Sequence, residues 1–261
     1  MDVFTRRAMV RAVLAAAGAG IVTGPAAAAT QSGGRTGRRR ILVFDVNETL
    51  LDVGALAPHF VRAFGDGRIG QEWFSNVVLY SQVAALAGPY AEFGAIARGA
   101  LEMTAAAHGV SLTGADRDAI LGGLVSLPAH PDVRGGLDTL RQAGFRMVTL
   151  TNSAPAAVGR QLTNAGIADY FEASISVDEV RTFKPSPEVY RLAASRLGVG
   201  VGDLRLVAAH AWDVIGAMRA GYAAAFIERP GKALFPAADR PDVVGRDLRE
   251  VASRIVTIDA A

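Results

Sequence analysis

Chemically active side chains recur in this sequence directly after short apolar stretches. Asp45 and Thr151 each end such a stretch, Asp213 follows soon after a third, and Lys184 stands beside Pro185 ahead of a helical pattern. If the stretches are parallel strands, their carboxyl ends meet at one edge of a sheet, where ligands bind in such folds. A carboxylate there can act as a nucleophile when an ammonium lowers its pKa and a second carboxylate activates water.

Lys184 is unusual for this composition. The chain contains 27 lysines and arginines, yet lysine occurs only at positions 184 and 232. A lysine carries a compact point charge, whereas an arginine presents a broad planar fork. A lysine kept in such an arginine-rich chain indicates that a compact ammonium is required, and we expect it to pair with the carboxylate of Asp45.

The elements that would position these residues alternate between strands and helices. Apolar runs with β-branched residues predict strands over 41–46, 145–151, 173–177, 204–209 and 223–227. Helical periodicity lies between them, over 132–143, 154–165, 185–197 and 211–220. A long stretch after the first strand shows helical periodicity alone, over 58–64, 72–86, 90–108 and 116–127. The pattern predicts an α/β fold with a parallel sheet and an inserted all-helical region.

Composition excludes several classes of function. The chain has no cysteine, so it can form no disulfide, thiolate nucleophile or cysteine-based metal site. Residues 1–40 carry seven arginines and one acid, which leaves residues 41–261 with a net charge of about −4. This body has no basic stripe with interleaved aromatic residues, so binding to nucleic acid is not expected.

The first 29 residues are predicted to be an export signal rather than part of the fold. The pair Arg6-Arg7 precedes a weakly apolar run over 8–22, and small residues follow up to Ala29. This order is typical of a twin-arginine signal, with a Sec signal or a lipid-surface anchor as alternatives. The run is too short and too rich in glycine and alanine for stable insertion in a membrane. Residues 30–40 would form a flexible basic leader on a periplasmic or secreted protein.

The ordered motifs resemble those of the haloacid dehalogenase superfamily. The resemblance is carried by the Asp-led loop at 45–49, Thr151-Asn152, Lys184 and Asp213. Within the superfamily, the type II (S)-2-haloacid dehalogenase branch matches best, through the strings at 44–52, 184–190 and 211–221. The resemblance implies a Rossmann-like core over 41–53 and 126–261 and a helical cap over 54–125. We expect a small-molecule substrate and keep a homodimer open as the assembly.

The same resemblance implies a role for each residue of the site. Asp45 would attack C2 of a small 2-haloalkanoate and displace halide with inversion, and water oriented by Asp213 would hydrolyse the resulting ester. The other catalytic residues, which would hold the nucleophile, the substrate carboxylate or the charged cluster, are Thr49, Thr151, Asn152, Lys184 and Tyr190. The residues expected to bind substrate are Asn47, Phe74, Phe93, His210 and Trp212. Neither a cofactor nor a metal is implied.

Several positions depart from the pattern. Asn47 stands where phosphatases of the superfamily carry an acid that protonates the leaving group, and an amide cannot do this. Phe74 stands where the dehalogenase branch places an arginine that receives the halide, and Ala208 and His210 replace a serine and an asparagine. A Mg²⁺-dependent phosphatase of the same superfamily and a catalytically retired exported binding protein are therefore kept as alternatives.

Overall fold

A parallel sheet of six strands lies at the centre of the computed structural model, which describes residues 39–259 of the chain. The strands are β1 (Ile41–Phe44), β2 (Met147–Thr151), β3 (Ala173–Ser176), β4 (Leu204–Ala208), β5 (Ala223–Ile227) and β6 (Val243–Gly245). They lie in the order β3-β2-β1-β4-β5-β6, and every neighbouring pair is parallel. All four residues of the central strand β1 are buried, which explains its continuous apolar sequence.

The helices of the core pack in two groups. They are α5 (Val133–Gln142), α6 (Pro155–Asn164), α7 (Pro187–Leu197), α8 (Ala211–Arg219) and α9 (Leu248–Asp259). Helix α5 packs against α9, and α7 packs against α8. Right-handed crossovers run to one side of β1 and then to the other, which places these two pairs on opposite faces of the sheet.

Between β1 and α5 the described chain forms helices and no strand. Apart from one short 3₁₀ turn, they are α1 (Ala57–Phe64), α2 (Ile69–Ala87), α3 (Phe93–Ala107) and α4 (Gly114–Gly123). Helices α2 and α3 are joined by a hydrogen bond of 3.0 Å from the Trp73 indole Nε1 to the Ala97 carbonyl. Thr113 and Asp116 form a capping box at the start of α4. This helical insert, residues 57–123, is called the cap below.

The predicted α/β class is confirmed, and the differences are local. Helix α7 begins at Pro187 rather than at Pro185, because the residue before a proline avoids the helical conformation and Ser186 is extended. Strand β6 and helix α9 are not predicted from the sequence. Strand β6 has three residues, too few to show a period.

The predicted export signal over 1–29, and the leader up to residue 38, lie outside the described residues. Within 39–259, no helix is both long enough and apolar enough to cross a membrane.

Candidate active site

The site lies where the carboxyl ends of the strands meet. Asp45 follows β1, Thr151 ends β2 and His210 follows β4. The chain order reverses between β1 and β4, since the connections from these neighbouring strands lead away in opposite directions. Such a reversal leaves a crevice at the strand ends. The sheet therefore brings together the side chains whose spacing predicts that they meet.

Lys184 joins the two carboxylates of the site. Its ammonium donates hydrogen bonds to Asp45 Oδ1 at 3.0 Å and to Asp213 Oδ2 at 2.7 Å. Lys184 and Asp213 are fully buried, and Asp45 is 6 % exposed. Buried charges are stable only when they are paired and hydrogen-bonded, so each member of this cluster depends on the others.

The cluster sets the protonation of the nucleophile. Burial by itself would raise the pKa of Asp45, but the Lys184 ammonium and the His210 ring outweigh burial and hold that pKa well below its usual value. Burial opposes the charge of Lys184 too, yet the two carboxylates raise its pKa. Burial raises the pKa of Asp213, and the attraction of the Lys184 ammonium, which would lower it, does not outweigh this effect. Asp45 is therefore the carboxylate that the cluster keeps ionised, as its predicted role of nucleophile requires.

Tyr190 supports the second carboxylate. Its hydroxyl donates to Asp213 Oδ1 at 2.7 Å, and its ring lies edge-on to Tyr222. Burial and the Asp213 carboxylate raise the pKa of Tyr190 well above its usual value, so the hydroxyl stays a donor. Gly216 on α8 permits this contact, since a Cβ there would lie 2.5 Å from the Tyr190 hydroxyl and 2.6 Å from Pro185 Cβ.

Thr49 fixes the other oxygen of the nucleophile. Its hydroxyl donates to Asp45 Oδ2 at 2.6 Å and accepts from the backbone N–H of Ala209 at 3.0 Å. Arg229 donates to the Thr49 carbonyl at 2.9 Å and pairs with Asp132 at 2.7 Å. The Thr49 hydroxyl proton is committed to Asp45, so Thr49 orients the nucleophile rather than donating to a substrate.

His210 faces the nucleophile from the start of α8. Its Nδ1 lies 3.4 Å from Asp45 Oδ2, and its Nε2 lies 2.8 Å from Glu48 Oε2. Lys232 donates to the same Glu48 oxygen at 2.8 Å. The Trp212 ring stacks on the His210 ring, with 5.0 Å between the ring centroids. Burial lowers the pKa of His210, but the two carboxylates outweigh burial and raise it to about 9. At neutral pH the ring is a cation between two carboxylates.

Three of the predicted residues shape the loops around the cluster. The Asn152 side-chain oxygen accepts from the backbone N–H of Lys184 at 3.3 Å, which ties the loop after β2 to the lysine loop. The Thr151 hydroxyl accepts from the backbone N–H of Ser153 at 3.1 Å. The Asn47 amide donates to the Ser153 hydroxyl at 3.2 Å and accepts from Gln161 at 2.9 Å. These contacts are structural, and a contact of Asn47 with substrate stays a prediction.

The predicted aromatic residues lie in two places. Phe74 is on α2 and is 3 % exposed, with its ring edge-on to Trp73. Phe93 begins α3, and its ring centroid lies 6.3 Å from that of Phe183, the residue before Lys184. Tyr90 stacks on the same Phe183 ring at 5.0 Å. The lysine loop therefore has an aromatic contact with the cap, whereas the contact of Phe74 and Phe93 with substrate stays a prediction.

A cleft of about 610 Å³ lies between the cap and the loops that carry Glu48 and Lys232, and none of Asp45, Lys184 and Asp213 lines it. Its lining includes Glu48, His130, Arg229 and Lys232 from the core and Arg68 and Gln71 from the cap. Neither the contact of Glu48 with His210 nor the position of Lys232 is predicted from the sequence. The available signals were an acid three residues after Asp45 and the second of only two lysines, but neither indicates a partner by itself.

The carboxylates of this site do not fit a Mg²⁺ ion. Magnesium needs several free oxygen ligands in an octahedral arrangement. Here Asp45 and Asp213 both point at the Lys184 ammonium, and Tyr190 takes the second oxygen of Asp213. Across residues 39–259, no cluster of three or more histidine, aspartate or glutamate residues is arranged to hold a metal ion.

The fold and site together define an α/β enzyme with a helical cap and, at the position predicted for the nucleophile, an aspartate paired with a lysine. A family model described as haloacid dehalogenase-like hydrolase matches residues 40–221. The chain therefore belongs to the haloacid dehalogenase-like hydrolases, in the branch of the (S)-2-haloacid dehalogenases.

Individual relatives support this assignment. The chain is 31 % identical over 214 residues to (S)-2-haloacid dehalogenase 2 of Pseudomonas sp. (strain CBS-3), covering 81 % of this chain and 93 % of that protein. It is 34 % identical over 192 residues to the (S)-2-haloacid dehalogenase of Xanthobacter autotrophicus, and the match covers 73 % of this chain and 75 % of that protein. A solved structure of L-2-haloacid dehalogenase from Xanthobacter autotrophicus, with chloropropionic acid covalently bound, has a TM-score of 0.79 at 29 % identity. It covers 85 % of this chain and 100 % of that one.

Proposed function

We propose that the protein hydrolyses the carbon–halogen bond of small (S)-2-haloalkanoates. The observation that carries the proposal is the buried arrangement of Asp45, held by Lys184 on one oxygen and by Thr49 on the other. A carboxylate that is desolvated, ionised and fixed in direction is suited to attack a saturated carbon.

The reaction has two steps. A carboxylate oxygen of Asp45 attacks C2 of the substrate, the carbon–halogen bond breaks with inversion, and halide leaves as an ester forms. Water then attacks the carboxyl carbon of Asp45, and the product leaves as a 2-hydroxy acid. Lys184 keeps Asp45 ionised for the first step, and the second carboxylate, Asp213, balances the lysine charge throughout. No cofactor enters either step.

Phosphoryl transfer is less well supported by the same geometry. Asn47 replaces the acid that a phosphatase would use, and its amide is held by Ser153 and Gln161. A retired binding protein is disfavoured by the cost of the cluster, since three buried charges are expensive to retain without a use.

The test is chloride release from (S)-2-chloropropionate, combined with mass spectrometry of the Asp45 peptide after turnover in ¹⁸O water. We expect ¹⁸O to enter Asp45, and Asp45→Asn to abolish chloride release. Asp169→Asn serves as the matched control, because Asp169 is an exposed aspartate of the core, and it should leave both results unchanged. Equal chloride release from wild type and Asp45→Asn would refute the assignment of the nucleophile.

We also propose that the protein is exported through the twin-arginine route, on the basis of Arg6-Arg7 ahead of a weakly apolar run. Replacing both arginines by lysine should retain the protein in the cytoplasm, as shown by cell fractionation. Continued export would indicate the Sec route instead. A homodimer stays an open prediction, which sedimentation of the purified protein would decide.

A further inference from the structure

A chain of alternating charges leads from the nucleophile to the cleft. Asp45 faces His210 Nδ1 at 3.4 Å, His210 Nε2 faces Glu48 at 2.8 Å, and Glu48 accepts from Lys232 at 2.8 Å. Asp45 and His210 are buried, whereas the Lys232 side chain is 25 % exposed. Glu48 and Lys232 line the cleft. The chain therefore connects a buried reaction centre with a surface that water can reach.

The backbone of Glu48, whose carboxylate contacts both His210 and Lys232, has an unfavourable conformation. Its φ angle is 61°, in the left-handed region that side chains other than glycine rarely adopt. The Glu48 carbonyl lies 3.2 Å from the His130 ring nitrogen Nε2, which helps to hold the turn. Backbone strain of this kind collects at functional sites. Here the strained residue is the one whose carboxylate contacts His210.

His210 Nδ1 makes the longest of the three contacts in this chain of charged groups. It is buried and forms an ion pair with Asp45 Oδ2 at 3.4 Å, which is longer than the 2.8 Å contact from Nε2 to Glu48 and does not meet hydrogen-bond geometry. Esterification of Asp45 would remove the charge that this nitrogen faces and leave Nδ1 without a polar partner, which buried ring nitrogens normally have. A water molecule that attacks the ester from the His210 side would supply that partner.

We infer that His210 and Glu48 form the acid–base pair that drives hydrolysis of the Asp45 ester, an inference that rests on the proposed function. In the ester state the neutral His210 ring donates Nε2–H to Glu48 and takes a proton from water at Nδ1. The water oxygen bonds to the Asp45 carboxyl carbon. The bond from that carbon to the ester oxygen breaks, and the departing alkoxide takes the proton back from Nδ1.

The charge on Asp45 controls when His210 acts. The charged groups facing His210 are Asp45 and Glu48, with Lys184 beyond the first and Lys232 beyond the second. Forming the ester removes the Asp45 charge, so the His210 cation loses one of its two carboxylate partners and releases a proton to solvent. After hydrolysis the new Asp45 carboxyl group returns a proton to His210. One proton is released per turnover, as the conversion of haloacid and water to hydroxy acid and halide requires.

The kinetic test separates the two steps. Wild type, His210→Phe and Glu48→Gln are mixed with (S)-2-chloropropionate, and the intact protein mass and chloride are followed in time. Phenylalanine is chosen because asparagine would restore the residue that the dehalogenase branch carries at this position. We expect both variants to release about one chloride per protein, to accumulate the ester, and to hydrolyse it about 100-fold or more slowly than wild type. His108→Asn is the matched control, because His108 and Glu72 form an exposed pair of the same kind at 2.9 Å on the cap.

Each outcome of the kinetic test decides one question. Ester that decays equally fast in wild type, His210→Phe and Glu48→Gln would overturn the inference and leave the proposed function intact. A wild type that forms no adduct and releases no chloride would overturn the proposed function, and the inference with it. Slow decay in both variants, with wild-type decay in His108→Asn, supports the inference.

A second measurement needs no turnover. Asp45→Asn removes the same charge that esterification removes, so the pKa of His210, about 9 in the resting protein, should fall in that variant. The titration is followed by NMR of the histidine ring protons, with the His210 signal assigned by its absence in His210→Phe. An unchanged His210 pKa in Asp45→Asn would show that the two groups are not coupled and would overturn the inference.

Discussion

Replacing Lys184 by methionine tests the charged cluster most directly, because the change removes the ammonium and keeps much of the side-chain volume. At an effective dielectric constant of about 20, each contact, at 3.0 Å to Asp45 and 2.7 Å to Asp213, contributes about 5–6 kcal/mol of gross attraction. Most of this offsets desolvation. Removing the ammonium that the two buried carboxylates share should lower the free energy of unfolding by about 3–5 kcal/mol, measured by urea denaturation at pH 7.

The pH dependence of that loss is the decisive part of the measurement. In wild type the Asp45 pKa is lowered, so its contribution to stability is present above the unfolded pKa and is lost as the pH falls through the folded one. In Lys184→Met the pKa of both carboxylates should be raised, so this variant gains stability as the pH falls. The difference between the two proteins should therefore shrink on going from pH 8 to pH 5.

The other lysine provides the control for Lys184→Met. Lys232→Met removes a partly exposed ion pair with Glu48, and we expect it to lower the free energy of unfolding by about 1 kcal/mol or less. Equal losses for the two lysine variants, or a loss in Lys184→Met that does not change with pH, would refute the view that Lys184 neutralises a buried cluster. Chloride release by Lys184→Met should fall by about 100-fold or more.

Three further predictions concern single side chains. Tyr190→Phe leaves Asp213 with one donor fewer and should cost about 1.5–3 kcal/mol of unfolding free energy by denaturant titration; an unchanged midpoint would contradict this. Phe74→Arg buries a cation at a 3 % exposed position and should lower the melting temperature much more than Phe74→Leu, as calorimetry would show. Arg205→Met removes the 2.6 Å contact with the buried carboxylate of Asp259, which keeps its ion pair with Arg40, and should lower the free energy of unfolding by about 1.5–3 kcal/mol, while the chloride release of the folded protein stays near wild type.

Much of the fold was accessible from local patterns. The apolar runs that become β1, β2, β4 and β5 are recognisable because a strand buried on both faces needs no polar residue. The convergence of Asp45, Lys184 and Asp213 follows from strand ends that share one edge of a parallel sheet. The sequence was less informative where an element is short, as in β6, or where a neighbouring residue shifts a boundary, as Pro187 does for α7.

Which residues stand at the strand ends can be predicted from the amino-acid sequence, because apolar periodicity and chain order are local properties. How the side chains pair is seen only in the folded chain. Glu48 reaches His210 because a turn holds its φ angle at 61°, and Asn47 is held by Gln161 from 114 residues away. Such contacts depend on how distant loops meet, which no local pattern encodes. The structure thus places His210, predicted from the sequence to bind substrate, at the centre of a chain of charged groups.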